Sequence, residues 1–149
     1  MMKAGLEGLT GGDDSTGAED EKSGAPVVSA VTQLTSTDQE TLNNELLIDG
    51  DMNDVIVKYA LNAKAAGLGG VVCSPLEAGI IHKACGDDFL TVTPGIRFAG
   101  GDAGDQARIT TPAKARELGS DYIVIGRPIT QADDPVKAYN MALEDFLGE

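Results

Sequence analysis

Leu90-Thr91-Val92-Thr93-Pro94-Gly95-Ile96-Arg97 and Tyr122-Ile123-Val124-Ile125-Gly126-Arg127-Pro128-Ile129-Thr130 decide the fold of this chain. Each opens as a short apolar run and stops at a glycine and an arginine. A run of that length, bounded by turn residues, reads as a strand buried on both faces, the kind that builds parallel sheets. The glycine and arginine put free backbone N–H groups and a cation where the strand leaves the sheet. Two such strand ends side by side make a cradle for a phosphate.

Working outward, the chain alternates strand and helix. A first strand is predicted over 27–33. Thr37-Asp38-Gln39-Glu40 then spells a capping box that starts a short helix. A second helix is predicted over 53–66, with Val55, Tyr59, Ala60 and Ala63 on one face and Gly67 as its left-handed cap. The second strand covers 70–73. Ser74-Pro75-Leu76-Glu77 follows, with a capping Ser, a Pro at the first helical position and a Glu three residues after the cap. That helix runs to Gly86. The third strand covers 89–93 and leads into a long Gly/Asp loop. Thr111-Pro112 opens a short helix ending at Gly119, and the fourth strand covers 122–125. Asp134-Pro135 opens the last helix, with Val136, Tyr139, Leu143, Phe146 and Leu147 as its apolar stripe. Short apolar strands separated by helices mean a parallel sheet covered by helices.

Three divisions are expected. Residues 1–9 form a remnant helix, 10–25 an acidic, Gly-rich flexible loop, and 26–149 the α/β domain. At 149 residues the chain can bury a real core. A closed (β/α)8 barrel typically takes about 250. Four strand–helix units are therefore read as half of such a barrel.

With 11 basic and 24 acidic residues the formal net charge is −13, which repels nucleic acid and anionic membranes. Solubility alone accounts for that acidity. Any anionic ligand must be held by a few focused donors. Cys73 and Cys85 form no CxxC and read as reduced core thiols rather than a disulfide or a metal pair. No apolar run approaches membrane length and no signal region is legible, so a cytoplasmic setting is expected.

In the cradle, Gly126 lets backbone approach phosphate oxygens and Arg127 adds charge-assisted hydrogen bonds. Arg97 follows a Pro-Gly turn. Gln106 ends the Gly/Asp loop, which could close over a ligand. Either arginine alone is as readily a surface salt-bridge partner. Two equivalent strand ends favour phosphate, because such barrels commonly bind it after their last two strands.

Together, Val92-Thr93-Pro94-Gly95-Ile96-Arg97, Asp102-Ala103-Gly104-Asp105-Gln106 and Ile125-Gly126-Arg127-Pro128-Ile129-Thr130 resemble the bacterial type of orotidine 5'-phosphate decarboxylase. Ala30-Val31-Thr32-Gln33-Leu34-Thr35-Ser36 resembles that family's fifth strand, Gly70-Val71-Val72-Cys73-Ser74 its sixth, and the run from Tyr122 its eighth. Met1-Met2-Lys3-Ala4 resembles the helix after the fourth strand. The resemblance implies the C-terminal half of a homodimeric (β/α)8 barrel, strands five to eight. It implies a carboxy-lyase that converts orotidine 5'-phosphate to UMP and carbon dioxide in pyrimidine biosynthesis, with no metal or organic cofactor. It assigns Arg97, Gly126 and Arg127 to phosphate, Gln106 to a bridge between phosphate and base, and Thr35 to a substrate contact.

The family's catalytic signature, Asp-x-Lys-x-x-Asp, is missing. Its lysine protonates the carbanion left by carbon dioxide, and carboxylates beside it hold that lysine and stress the substrate carboxylate. The nearest string, Asp20-Glu21-Lys22-Ser23-Gly24-Ala25, lacks the final Asp and sits in a polar loop, so it reads as chance. No catalytic residue is assigned, and this chain alone is expected not to turn over. His82 reads as a solvated or capping histidine, because strand ends carry barrel chemistry. Asp102 and Asp105 read as turn formers rather than a metal pair, Asp133-Asp134 as a helix cap, and Glu19-Asp20-Glu21 as a solvated charge run.

Two other readings stay open. One is a non-catalytic phosphate- or UMP-binding remnant. The other is a different phosphate-sugar barrel lyase or isomerase, since fold does not set function. The expected ligand is orotidine 5'-phosphate or UMP. A half-barrel also has two open sheet edges, which invites homo-oligomerisation there or on the family's dimer surface.

Overall fold

The computed structural model describes residues 1–10, 27–100 and 109–148. Four strands form one sheet in the order β1-β2-β3-β4: β1 Ser29–Val31, β2 Gly70–Val72, β3 Leu90–Thr93 and β4 Tyr122–Ile123. All neighbours run parallel. Val31 aligns with Val72, Val72 with Val92, and Val92 with Tyr122. Sequential order, parallel pairing and helical crossovers are four consecutive βα units of a (β/α)8 barrel.

The helices are α1 Met2–Thr10, α2 Gln39–Asn44, α3 Met52–Ala65, α4 Ala78–Cys85, α5 Pro112–Glu117, α6 Arg127–Thr130 and α7 Pro135–Leu147, with a 3-10 turn at Pro75–Glu77 before α4. Their caps follow from local chemistry. Ser74 closes a complete capping box: the Ser74 side chain accepts from Leu76 N–H, and Glu77 Oε2 accepts from Ser74 N–H at 2.9 Å. Thr111 accepts from Lys114 N–H and Asp134 from Lys137 N–H, each ahead of a proline.

The core lies between the sheet and α3/α4. Ile56, Ala60 and Ala63 of α3 meet Val71, Ile81 and Cys85. Cys73 and Cys85 are buried thiols not joined in a disulfide. Burial pushes the Cys85 thiol up, partly offset by the Lys64 ammonium, whose Nζ donates to the Cys85 carbonyl.

Several sequence expectations change. β1 and β4 are shorter than 27–33 and 122–125. The cap of α2 is Asp38, not Thr37: Asp38 Oδ1 accepts from Thr41 N–H at 2.8 Å, while Thr37 is buried. In α3 the buried face is Met52, Ile56, Ala60 and Ala63, so Val55 and Tyr59 lie at its margin. The last helix differs most. α7 packs on α5 and α6 through Ala138 and Ala142, and Val136, Tyr139, Leu143 and Leu147 of its stripe stay exposed.

Candidate functional site

The chain leaves each strand at the same end of the sheet, and there the segments converge. Beyond β1, Thr32 continues the pairing: its N–H and its hydroxyl both donate to the Val72 carbonyl, at 3.0 and 3.2 Å. The chain then turns through Leu34, whose carbonyl accepts from Thr37 N–H at 2.9 Å. This brings Gln33, Thr35 and Ser36 to the mouth of the sheet. Beyond β3, Pro94 and Gly95 redirect the backbone. Gly95 has φ +83°, a conformation that suits glycine. Ile96, fully buried, anchors the turn and Arg97 follows it. Arg97 N–H donates to the Thr110 carbonyl at 2.9 Å, and Thr110 N–H donates to the Gly95 carbonyl at 3.2 Å. The guanidinium donates to the Ile96 carbonyl at 2.8 Å, which steers it along its own turn.

Beyond β4, Val124 N–H donates to the Thr93 carbonyl at 3.0 Å. Gly126 caps the single-turn α6, and Pro128 in that turn removes an N–H that would need a partner. A Cβ built on Gly126 would meet nothing within 4 Å, so the glycine keeps the space before its backbone open.

These segments line one cleft of about 470 Å³. Thr35, Arg97, Gly126 and Arg127, singled out from sequence, all line it, together with Gln33 and Ser36. Gln106 lies outside the described residues. Sequence reading passed over Gln33 and Ser36. The signal was available, since both flank Thr35 in the same post-strand segment. Among the described residues, the lining holds two arginines and no carboxylate, in a chain of net charge −13. Positive groups focused in a cleft of an acidic protein select an anion. Two guanidiniums also offer the planar forks that suit phosphate oxygens.

The opposite end of the sheet carries a separate polar cluster. His82 Nε2 on α4 lies 3.2 Å from Asp121 Oδ2 and 3.1 Å from the Gly119 carbonyl. Asp121 Oδ2 also accepts from Thr91 N–H at 2.7 Å and from the Thr91 hydroxyl at 2.8 Å. His82 is therefore neither solvated nor a cap. It ties α4 to the entry of β4, away from the cleft. Asp134 does cap α7 as expected. Among the described residues, no three His, Cys, Asp or Glu side chains are grouped to hold a metal, and no helix is long and apolar enough to cross a membrane.

A family model described as Orotidine 5'-phosphate decarboxylase / HUMPS family matches residues 1–142. The chain is 49% identical over 149 residues to the orotidine 5'-phosphate decarboxylase of Geobacillus sp. (strain WCH70), covering 100% of this chain and 60% of that protein. Among solved structures it is similar to orotidine 5'-phosphate decarboxylase from Lactobacillus acidophilus. The TM-score is 0.76 and the identity 40%, over 98% of this chain and 58% of the other. An uncharacterized conserved protein from Geobacillus kaustophilus superimposes with a TM-score of 0.75 at 42% identity, over 98% of this chain and 58% of the other. The chain thus spans about three fifths of the length of the relatives it matches.

Proposed function

Because the chain belongs to the orotidine 5'-phosphate decarboxylase / HUMPS family, we propose that its cleft grips the phosphate of orotidine 5'-phosphate or UMP. In this reading the four units stand for strands five to eight of a decarboxylase barrel. The observation that carries it is the lining itself: Arg97 and Arg127 from adjacent strand ends, the open Gly126 beside Arg127, and, among the described residues, no carboxylate. Arg97 and Arg127 take the phosphate oxygens, and Gly126 lets backbone come close. Thr35, at the far side of the cleft, meets the remainder of the nucleotide, and Gln106 bridges phosphate and base.

Decarboxylation also needs a proton for the carbanion left behind and a negative field against the substrate carboxylate. The Asp-x-Lys-x-x-Asp set that the resemblance associates with those tasks is not spelled in this chain. This favours a second reading, in which the 149 residues bind nucleotide without converting it. Two measurements separate the readings. Calorimetric titration of UMP should show binding that weakens about 10- to 100-fold in Arg127→Ala, the loss of a charged hydrogen-bonding partner. Equal affinities would remove the cradle. Incubation with orotidine 5'-phosphate should release no carbon dioxide from this chain. Turnover matching a full-length relative would overturn the claim that it does not convert its ligand.

A further inference from the structure

β3 and β4 share two registered pairs, Val92 with Tyr122 and Thr93 with Ile123. A ladder that short has few backbone bonds to resist a slip, and side chains add to it. At the entry of β4, Asp121 Oδ2 accepts from the Thr91 N–H at 2.7 Å and from the Thr91 hydroxyl at 2.8 Å. Asp121 N–H donates back to Thr91 Oγ1 at 3.2 Å. Further along, the Thr93 hydroxyl donates to the Tyr122 carbonyl at 3.0 Å. Thr91 and Thr93 are both 0% exposed, so water does not compete for these bonds. α4 joins the cluster through His82, whose Nε2 faces the Gly119 carbonyl at 3.1 Å and Asp121 Oδ2 at 3.2 Å. A carbonyl and a carboxylate only accept, so Nε2 carries the proton and donates. The Asp121 carboxylate is thus held from β3 and from α4 together.

From this point β4 runs on to Gly126 and Arg127 in the cleft, and Arg97 leaves β3 at the same end of the sheet. The separation of the two guanidiniums therefore depends on where β4 sits along β3. A slip of one residue moves a strand by about 3.3 Å and turns its side chains to the other face. That is enough to take Arg127 away from a phosphate held by Arg97. We propose that Asp121, held by Thr91 and His82, is a positioning residue for Arg127. It pins β4 on β3 and so sets the spacing of the two arginines. Asp121 does not line the cleft and acts from the other end of the strand. Donors fixed in place bind more tightly, because the ligand does not have to order them. The effect on ligand rests on the reading of the cleft as a phosphate grip; the effect on β4 does not.

Calorimetric titration of UMP and amide hydrogen exchange on the same variants of the full chain test this. Asp121→Ala should weaken UMP binding about tenfold, within what one charge-assisted contact supplies. In the Arg127→Ala background the same substitution should change affinity by less than about twofold, because the arginine it positions is gone. Thr91→Val removes only the hydroxyl from the buried site. It should act in the same direction as Asp121→Ala, and it serves if that variant does not fold. Exchange at the Val124 N–H, which donates to the Thr93 carbonyl, should quicken in both variants while Ala60 in α3 stays protected. Unchanged UMP affinity in both Asp121→Ala and Thr91→Val, or an equal loss with and without Arg127, would overturn the positioning role. A wild-type chain that does not bind UMP would overturn the phosphate grip instead. Val124 exchange then decides by itself, and an unchanged rate in both variants would overturn the pinning of β4.

Discussion

α3 and α7 carry apolar residues at helical spacing along similar lengths, and they meet opposite fates. α3 sets Ile56, Ala60 and Ala63 against β1, β2 and α4, and all three are sealed from water. α7 touches α5 and α6 through two alanines, and its larger residues Val136, Tyr139, Leu143 and Leu147 face outward. The difference lies in the neighbours. α3 lies against two strands, β1 and β2, and against α4. α7 lies against α5 and α6 and shares only a groove with β4. Periodicity states which face of a helix favours burial. Whether anything stands opposite that face is a property of the fold.

The sharpest way to break this contrast is to truncate both helices in turn. Ile56→Ala should cost about 4 kcal/mol, within the usual range for a sealed aliphatic side chain. Leu143→Ala should stay within about 0.5 kcal/mol in the single chain, as for a surface position. Urea denaturation of the two variants measures both. Equal losses would mean that α7 is as well covered as α3.

Next in size is Gly70, at the pairing of β2 with β3. A Cβ there would stand 2.4 Å from the Leu90 carbonyl oxygen, a backbone atom that cannot swing away. Gly70→Ala should cost about 2 to 3 kcal/mol by overpacking and lower the melting temperature accordingly. An unchanged melting temperature would show that the strands around the core have slack.

A smaller effect belongs to the cap that starts the turn into α4. Ser74→Ala removes one half of a buried capping box and should cost about 1 kcal/mol. Thermal unfolding followed by circular dichroism reads it, and a neutral substitution would mean that the Glu77 half of the box suffices.

The smallest is a local pH response at α2. The hydrogen bonds from Thr41 hold the Asp38 carboxyl below the usual aspartate value of 3.8. A pKa lowered by folding means that the cap is fully formed above 3.8 and is lost as pH falls through the lower, folded value. Amide exchange at Thr41 should quicken over that interval, and in Asp38→Asn the acceleration should disappear. An Asp38→Asn chain with the same acid response would assign it to another group.

Much of the site was legible because its residues are local punctuation of strands. A Pro-Gly or a Gly-Arg after an apolar run marks where a parallel strand ends, and every such end lies on one side of the sheet. Thr35, Arg97, Gly126 and Arg127 therefore had to converge once the strands were placed in order. The His82 cluster was not legible. Its partners Thr91 and Asp121 lie 9 and 39 residues further along, and no spacing rule links them. The displaced cap at Asp38 has a simpler cause. Thr37 and Asp38 are both able caps, and burial of Thr37 left the exposed Asp38 to accept from Thr41.

The sequence by itself determined the four βα units, the helix caps at Ser74, Thr111 and Asp134, and the strand ends that carry the arginines. All of these rest on interactions within a few residues, where spacing is geometry. Only the tertiary structure decided which apolar surfaces find cover. It sealed α3 and left the larger residues of α7 open. Burial needs two surfaces, and a sequence pattern describes one of them.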